Sequence, residues 1–429
     1  MARIKQSVLH MLPLLAATFS LQAYAAGFSI GTQNVSGLGN AYAGAAAAAE
    51  DASTIFYNPA GMTEIKGSQV VGGVNFINTS LTFSNNGSTA ATGQSLGSTG
   101  GDAGSFREIP HAYLLFDLTP TVKAGLGIGA PFGNGTQWSK DWIGRFQGTK
   151  SELQTVNVNP SLAYKPSENL SLGFGANYQR GEAEFVQQVN GVLVGGVGAE
   201  GETTFRLKGE QWGWNAGAMY KLSEATRLGV AYRSAIFYKM TGTAITTSTN
   251  AAVNSSTAFP EGNTRLNLTM PESLSFAGKH RLTDRWELLA DATLTAWSRM
   301  ESLTPINAST GVAFTSVNYK WKDSWRYGVG ANYAYTDKTK LKIGVAFDQG
   351  VTSSEYRTVT LPDSDRIWLS FGVKQTLSKA SVLDVGYTHQ FIQQANLSNN
   401  NGSTATYGFV NGAADRSIDI FGVQYTYSF

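Results

Sequence analysis

The chain has 429 residues, a net charge of +2 and no cysteine, and 14% of its residues are charged. A nearly neutral chain offers no basic surface for nucleic acid, and the lack of cysteine excludes disulfide scaffolds and thiolate metal sites. The mean hydropathy of −0.14 suits a soluble protein. It is equally typical of a transmembrane β-barrel, because lumen-facing residues dilute the hydropathy of each strand.

The first 25 residues predict a cleaved secretory signal peptide. Arg3 and Lys5 precede an apolar run over residues 8–21, and residues 23–25 read Ala-Tyr-Ala, which supplies the small side chains that cleavage requires. The run is too short for a membrane-spanning helix. We therefore expect an exported protein that begins after Ala25.

Residues 26–67 differ from the rest of the chain and are called the hatch below. The stretch Ala41–Ala52 predicts a short helix because alanine has the highest helix propensity, and Pro59 ends the local regularity. Phe28 and Ile30 are too apolar for a disordered tail. We expect a small helical element that plugs the lumen of a barrel.

Residues 68–429 alternate apolar and polar side chains, and this period of two is the signal of β-strands. The clearest alternations cover residues 170–179, 212–221, 341–348 and 367–374. The sequence predicts an all-β fold, a transmembrane antiparallel β-barrel of about 14 strands plugged by the hatch.

The connections between strands also differ in length. Short turns are predicted near residues 119–121, 166–168, 223–225, 283–284, 337–338 and 378–379, and longer polar loops over 85–105, 187–202, 246–262 and 398–406. Outer-membrane barrels have short periplasmic turns and long extracellular loops. A soluble β-sandwich would explain the alternation but not this asymmetry together with the signal peptide.

The last strand has one apolar face. Apolar or aromatic side chains occupy every second position from Phe421 to Phe429, and the other face is small or polar except for Ile420. Such a strand fits between lipid and a lumen. Ending on an aromatic residue resembles the terminal strand of bacterial outer-membrane barrels, where it serves in assembly.

Several motifs occur in an order that resembles the long-chain fatty-acid outer-membrane transporter family, of the FadL/TodX type. They are Gly-Phe at 27–28, Ser-Gly-Leu-Gly-Asn-Ala-Tyr-Ala-Gly at 36–44, Asn-Pro-Ala at 58–60 and Pro-Asp-Ser-Asp-Arg-Ile-Trp-Leu-Ser at 362–370. The resemblance implies a monomer in the bacterial outer membrane with no enzymatic activity and no cofactor or metal. The implied partners are a long-chain fatty acid or other hydrophobic ligand, outer-membrane lipids and lipopolysaccharide, and the barrel-assembly machinery.

The resemblance also implies two groups of site residues. The hatch and gate residues are Gly27, Phe28, Asn58, Pro59 and Ala60, and a lateral opening in a kinked third strand matches Ala130, Pro131, Phe132 and Gly133. Proline cannot donate to a strand ladder, and glycine accepts unusual backbone angles. The alternative is that the strand ends at Ile128 and a loop begins.

A ligand carboxylate would need a cation in the lumen. Our candidates are Lys320, Lys322 and Arg326, which share one face by parity, and Arg180. Each of these could instead pair with a carboxylate such as Asp291 or a hatch acid. The positions at which characterised fatty-acid members carry basic residues match Phe185 and Val317, which are apolar. Either another cation substitutes, or the ligand is less charged, as in members that carry neutral aromatic hydrocarbons.

Two other functional classes are less favoured by the sequence. An outer-membrane lipase would need a Ser-His-acid constellation, and only His111, His280 and His389 follow the signal peptide. A general porin would have a charged, open lumen rather than a plug. The sequence therefore favours passive uptake of a hydrophobic ligand, with movement of the hatch and lateral release.

Overall fold

The computed structural model describes residues 27–196 and 198–429, so the predicted signal peptide lies outside the described residues. Most of the described chain forms antiparallel strands. In chain order they are β1 (Gln69–Asn85), β2 (Phe106–Asp117), β3 (Val122–Gly129), β4 (Gly133–Gln137), β5 (Lys150–Tyr164), β6 (Leu170–Asn190), β7 (Glu200–Lys221), β8 (Thr226–Arg233), β9 (Ile236–Thr247), β10 (Gly262–Met270), β11 (Ser273–Arg281), β12 (Trp286–Thr295), β13 (Ser302–Leu303), β14 (Ile306–Asn307), β15 (Val317–Asn318), β16 (Ser324–Ala334), β17 (Thr339–Asp348), β18 (Arg366–Thr376), β19 (Ser381–Ile392), β20 (Ala395–Asn399) and β21 (Val410–Ser428).

These segments make a closed barrel of 14 strands, which confirms the predicted fold class. Four barrel strands are each interrupted once, so that β3 continues as β4, β8 as β9, β10 as β11 and β19 as β20. The short β13, β14 and β15 belong to a loop. The barrel closes because β1 pairs with β21, from Gln69 opposite Ser428 to Asn85 opposite Gly412.

The strand faces follow the predicted alternation. On β21, Phe421, Tyr425 and Tyr427 are exposed on the outer wall, where lipid would cover them. The exceptional Ile420 points inward and is buried in a cluster with Val35 of the hatch. Its apolar character therefore serves the plug. Among the described residues, no helix is long and apolar enough to cross a membrane.

All six predicted short turns join consecutive strands, but the loops differ in detail. The loop predicted over residues 187–202 is shorter, because β6 and β7 remain paired as far as Asn190 opposite Glu200. Two long connections, residues 296–323 and 349–365, lacked a clear loop signal since both contain apolar residues that are buried between the strand ends.

The hatch forms only short helical pieces inside the barrel. They are α1 (Ala45–Ala48), α2 (Thr54–Tyr57) and 3₁₀ turns over Leu38–Asn40 and Pro59–Glu64. The helix predicted over Ala41–Ala52 is thus limited to α1. The backbone is left-handed at Ala41 and Ala49. Arg326 and Arg227 of the wall donate to the carbonyls of Ala41 and Ala47, and these hydrogen bonds replace those of a longer helix.

The hatch lies very close to the barrel wall. A side chain on Gly344 of β17 would come within 2.1 Å of the backbone of Asn40, and one on Gly173 of β6 within 2.2 Å of Ala60 N. Glycine at these inward positions therefore allows the plug to hydrogen-bond directly to the wall. Asn40, for example, donates to the carbonyls of Ala331 and Ile343.

Candidate functional site: the hatch, the broken strand and the lumen cavity

A buried ion cluster fastens the middle of the hatch to the wall. Glu50 Oε2 lies 2.6 Å from Lys342 Nζ and 3.1 Å from Lys374 Nζ. Asp384 contributes a second carboxylate, 3.6 Å from Lys342. Lys342 also donates to the carbonyl of Ser36 at 2.6 Å. Two lysines on neighbouring strands thus hold the hatch, which is the alternative role considered for lumen cations.

This cluster predicts acid sensitivity of the plug. Burial alone would raise the pKa of Glu50, but Lys342 and Lys374 more than offset it and hold the pKa well below its usual value of 4.5. A lowered carboxylate pKa contributes stability that is complete above the usual value and is lost as the pH falls through the folded value. In planar bilayers we expect the ion conductance of the wild type to rise as the pH drops below 4.5. The conductance of Glu50→Gln should be similar above and below this pH. A wild-type conductance that is independent of pH would contradict this role.

The Asn58-Pro59-Ala60 motif is the second fastening point of the hatch. Asn58 caps the following 3₁₀ turn by accepting from Ala60 N at 3.1 Å, and Pro59 occupies the first position of that turn. The Asn58 amide also donates to Ala46 O of the hatch at 2.7 Å and to Ala218 O of the wall at 3.1 Å. One fully buried side chain therefore joins two parts of the hatch to β7.

The beginning of the described hatch packs into an aromatic cluster. Phe28 is buried, with its ring 4.9 Å from Trp297, 6.1 Å from Phe132 and 5.7 Å from Trp321. Gly27 has a φ of +60°, and a side chain there would lie 2.7 Å from the Trp297 ring. Glycine is therefore required before Phe28, and Gly27 N donates to the Asp363 carboxylate at 3.2 Å.

The third barrel strand is broken where the family resemblance implies a kink. Segments β3 and β4 share the partner β5, with Gly129 opposite Asn157 and Gly133 opposite Gln154. Three residues, 130–132, therefore lie opposite two, which makes a bulge of one residue. The break is within one barrel strand, so the strand does not simply end at Ile128.

The hatch takes the place of a strand partner at this break. Ile30 N donates to Pro131 O at 2.8 Å, and Gly133 N donates to Phe28 O at 3.0 Å. The Gln33 amide accepts from Ala130 N at 3.0 Å and donates to its carbonyl at 2.8 Å. The backbone groups that the bulge frees are thus satisfied by the hatch.

The neighbouring strand β2 does not pair with the broken part. Its pairing with β3 ends at Ala112 opposite Ile128, whereas its pairing with β1 continues to Phe106. Contact resumes at the outer end, where Ser105 Oγ donates to Gly135 O at 3.1 Å. The wall therefore has a bounded gap between residues 106–111 and 129–134, called the side gap below.

A cavity of about 740 Å³ connects these features. Its lining includes the hatch start, both edges of the side gap, and charged residues on the opposite wall. Volumes of about 300–1,000 Å³ are typical of sites for small organic ligands. Apolar lining residues near the gap are Phe28, Ile30, Ile128, Phe132, Leu153 and Val156.

The four predicted carboxylate-binding cations have different surroundings. Arg326 lines the cavity but pairs with Asp291 at 3.0 Å. Lys320 and Lys322 lie in the loop before β16, which begins at Ser324, and Lys320 donates to the Tyr356 hydroxyl at 2.8 Å. Arg180 lies on the outer face of β6, paired with Glu182 at 2.6 Å. The cavity lining, taken over the described residues, contains only Arg326 of the four.

The two apolar positions singled out by the family resemblance do lie together. Phe185 and Val317 line a separate cavity of about 60 Å³, with Phe205, Leu303 and Tyr319 among its other lining residues. Both pack against the large apolar cluster beneath the loops. Their side chains supply no charge, so any carboxylate would have to be held elsewhere.

Sequence reasoning missed Gln33 and the acidic group around Asp363. Gln33 carries no pattern that predicts its contacts with Ala130. Asp363 anchors Gly27, and its neighbour Asp365 lies close by; burial, with the charges of Asp363 and Asp348, raises the pKa of Asp365 to about 7. The motif at 362–370 was recognised only by resemblance. One of its acids, Asp363, holds the hatch start, whereas Asp365 accepts from Gly350 N of the loop.

One catalytic motif is matched by chance. Residues 93–97 read Gly-Gln-Ser-Leu-Gly, the pattern of a hydrolase nucleophile elbow, which needs a turn from a strand into a helix. Here the stretch lies in the loop between β1 and β2. The three histidines of the described chain have other partners: Gln424 for His111, Thr226 for His280 and Asp419 for His389.

Comparison with known proteins decides the family. The model of the family "Outer membrane protein transport protein (OMPP1/FadL/TodX)" matches residues 16–429. The chain belongs to this family. It is 28% identical to a long-chain fatty acid transport protein of Escherichia coli K12, over 97% of this chain and 98% of that one. It is 30% identical to a putative outer membrane protein of Neisseria meningitidis, over 99% of both.

Solved structures agree with the family assignment. A Pseudomonas aeruginosa FadL homologue superposes with a TM-score of 0.87 at 25% identity, covering 94% of this chain and 100% of that chain. The Pseudomonas putida toluene transporter TodX shares the fold, with a TM-score of 0.66 at 16% identity over 88% of this chain and 94% of that one. Family members are outer-membrane transport channels for hydrophobic compounds, so this chain is an outer-membrane transporter of that class.

Proposed function

We propose that this protein takes up long-chain fatty acids or similar hydrophobic molecules passively and releases them sideways into the membrane. The ligand binds in the lumen cavity, the hatch start moves, and the ligand leaves through the side gap. The driving force is partition into the bilayer, about 0.8 kcal/mol for each methylene that is removed from water.

The observation that carries the proposal is the pairing of the hatch start with the broken strand. The same residues, Phe28 and Ile30, line the cavity and hydrogen-bond to the strand at the gap. A ligand that displaces them would unpair the strand edge at the moment of binding. Binding and opening of the side gap are thereby coupled through one short segment.

A channel for neutral aromatic hydrocarbons is the second candidate. The apolar Phe185 and Val317 favour it, because fatty-acid members are expected to carry basic residues at these positions. The similarity to the toluene transporter is at the level of the fold and does not choose between the two ligands.

Uptake by cells that lack such a channel tests the proposal. Cells expressing this protein and cells with an empty vector are offered labelled oleate and labelled toluene at equal concentration. We expect oleate uptake above the empty-vector control. Uptake of toluene with oleate ignored would favour the hydrocarbon channel, and uptake of neither would contradict both functions.

A further inference from the structure

Arg416 is a cationic side chain of the lumen that holds no other residue of the described chain in place. It lies on β21, is half-buried and lines the 740 Å³ cavity. Its Nε is shielded from solvent and has no hydrogen-bond partner, and no carboxylate of the described residues forms an ion pair with it. Leaving a buried guanidinium unpaired is costly, so such a group indicates a site that a ligand completes.

The other arginines of the cavity are already engaged, which sets Arg416 apart. Their partners are Glu152 for Arg107, Asp291 for Arg326, Asp363 for Arg366, and Phe56 O with the Asn177 side chain for Arg233. Three of these hold carboxylates of the wall or loops, and Arg233 holds the hatch. Arg416 is the remaining arginine of this lining.

A second guanidinium lies beside it. Arg366 of β18 is opposite Ile392 of β19, and Phe391 of β19 is opposite Ser417 of β21. The two arginines are therefore on nearly the same level, two strands apart, which is roughly 10 Å between backbones. Arg366 retains an unpaired Nε, and Asp363 is the acid whose charge acts on Arg416 as well as on Arg366. Asp348 and Asp365 also act on Arg366, so Arg416 is the less neutralised of the two guanidinium groups.

We infer that Arg416, assisted by Arg366, binds the carboxylate of an anionic amphiphile whose tail lies in the apolar part of the cavity. Guanidinium binds carboxylate with paired, charge-assisted hydrogen bonds, and its planar fork suits this geometry. The tail would extend towards Phe28, Ile30 and Phe132 at the side gap. The inference rests on the proposed function and assigns its ligand class, a fatty acid rather than a neutral hydrocarbon.

Binding of oleate and of oleyl alcohol to the purified barrel separates charge recognition from apolar packing. In Arg416→Gln we expect oleate to bind about 10- to 100-fold more weakly, the range for loss of a hydrogen bond to a charged group, with oleyl alcohol nearly unchanged. Arg416→Lys keeps the charge but loses the planar fork, so its oleate affinity should lie between those of the wild type and Arg416→Gln. Arg265→Gln removes one positive charge from the outer face of β10 and serves as the matched control.

The outcomes are distinct. Equal weakening of both ligands in Arg416→Gln, or unchanged oleate binding, would overturn the anion site. A wild-type protein that binds oleyl alcohol but not oleate would overturn it too, while transport of hydrophobic compounds would stand. A wild-type protein that binds neither ligand would overturn the proposed function itself. Folding of each variant is checked by the faster migration of an unheated barrel on a gel.

Discussion

Deletion of Pro131 should block uptake while leaving a folded barrel. The deletion removes the extra residue of the bulge, so that β3 and β4 become one regular strand opposite β5. The freed edge of β2 can then pair across the side gap. Ladder hydrogen bonds contribute about 1 kcal/mol each, so about three of them would slow lateral release roughly a hundredfold. The measurement is uptake of labelled oleate, beside the gel shift of the unheated barrel.

Deletion of Gly311 is the matched control for this experiment. It shortens the chain by one residue at an exposed loop position, where no atom lies within 4 Å of a would-be side chain. Uptake by this control should equal that of the wild type. A folded variant without Pro131 that still takes up oleate at the wild-type rate would rule out the side gap as the exit.

Lys342→Met should release the hatch. The substitution leaves Glu50 with Lys374 alone and leaves Asp384, whose oxygens make no hydrogen bond, without its nearest cation. Breaking a buried ion pair by removing one partner costs about 3–5 kcal/mol. The hatch should then become accessible to protease, and ion conductance in planar bilayers should rise.

Two further variants check that the effect comes from the buried charge. Lys338→Met removes a lysine from an exposed turn and should change nothing. The double variant Lys342→Met with Asp384→Asn removes the orphaned carboxylate as well, so it should lose less stability than Lys342→Met alone. Equal protease resistance in the wild type and Lys342→Met would show that the cluster does not hold the hatch.

The barrel was predictable because the signal is local. Each strand must present one face to lipid and one to the lumen, so the period of two is written into every strand, and β21 shows it most clearly. Pro131, which cannot donate to a ladder, marked the position of the break. Whether the strand is kinked there or ends at Ile128 was chosen by the family resemblance. The hydrogen-bond partners of the broken segment were not predictable, because Ile30 and Gln33 reach it across about 100 residues of chain.

The rule that alternate residues share one face of a strand gave wrong assignments where no strand exists. Lys320 and Lys322 were assigned to the face of Arg326, but the strand begins at Ser324 and the preceding loop follows the packing of Tyr319 and Trp321 instead. Arg416 has the inward parity of Ile418 and could have been noticed. The absence of a carboxylate partner for Arg416 could not have been predicted, because ion pairing depends on strands that are distant in sequence.

The anchoring of the hatch has a consequence for biogenesis. Val35 N donates to the Gln424 side chain, 389 positions later in the chain. Lys342 donates to the Glu50 carboxylate, 292 positions earlier. The plug is synthesised first, yet its anchors arrive with the last strands, which gives the protein a high contact order and predicts slow maturation. Since β1 and β21 also form the closing seam, plug docking and seam closure depend on the same final strand, and a chain truncated before it would keep an exposed edge.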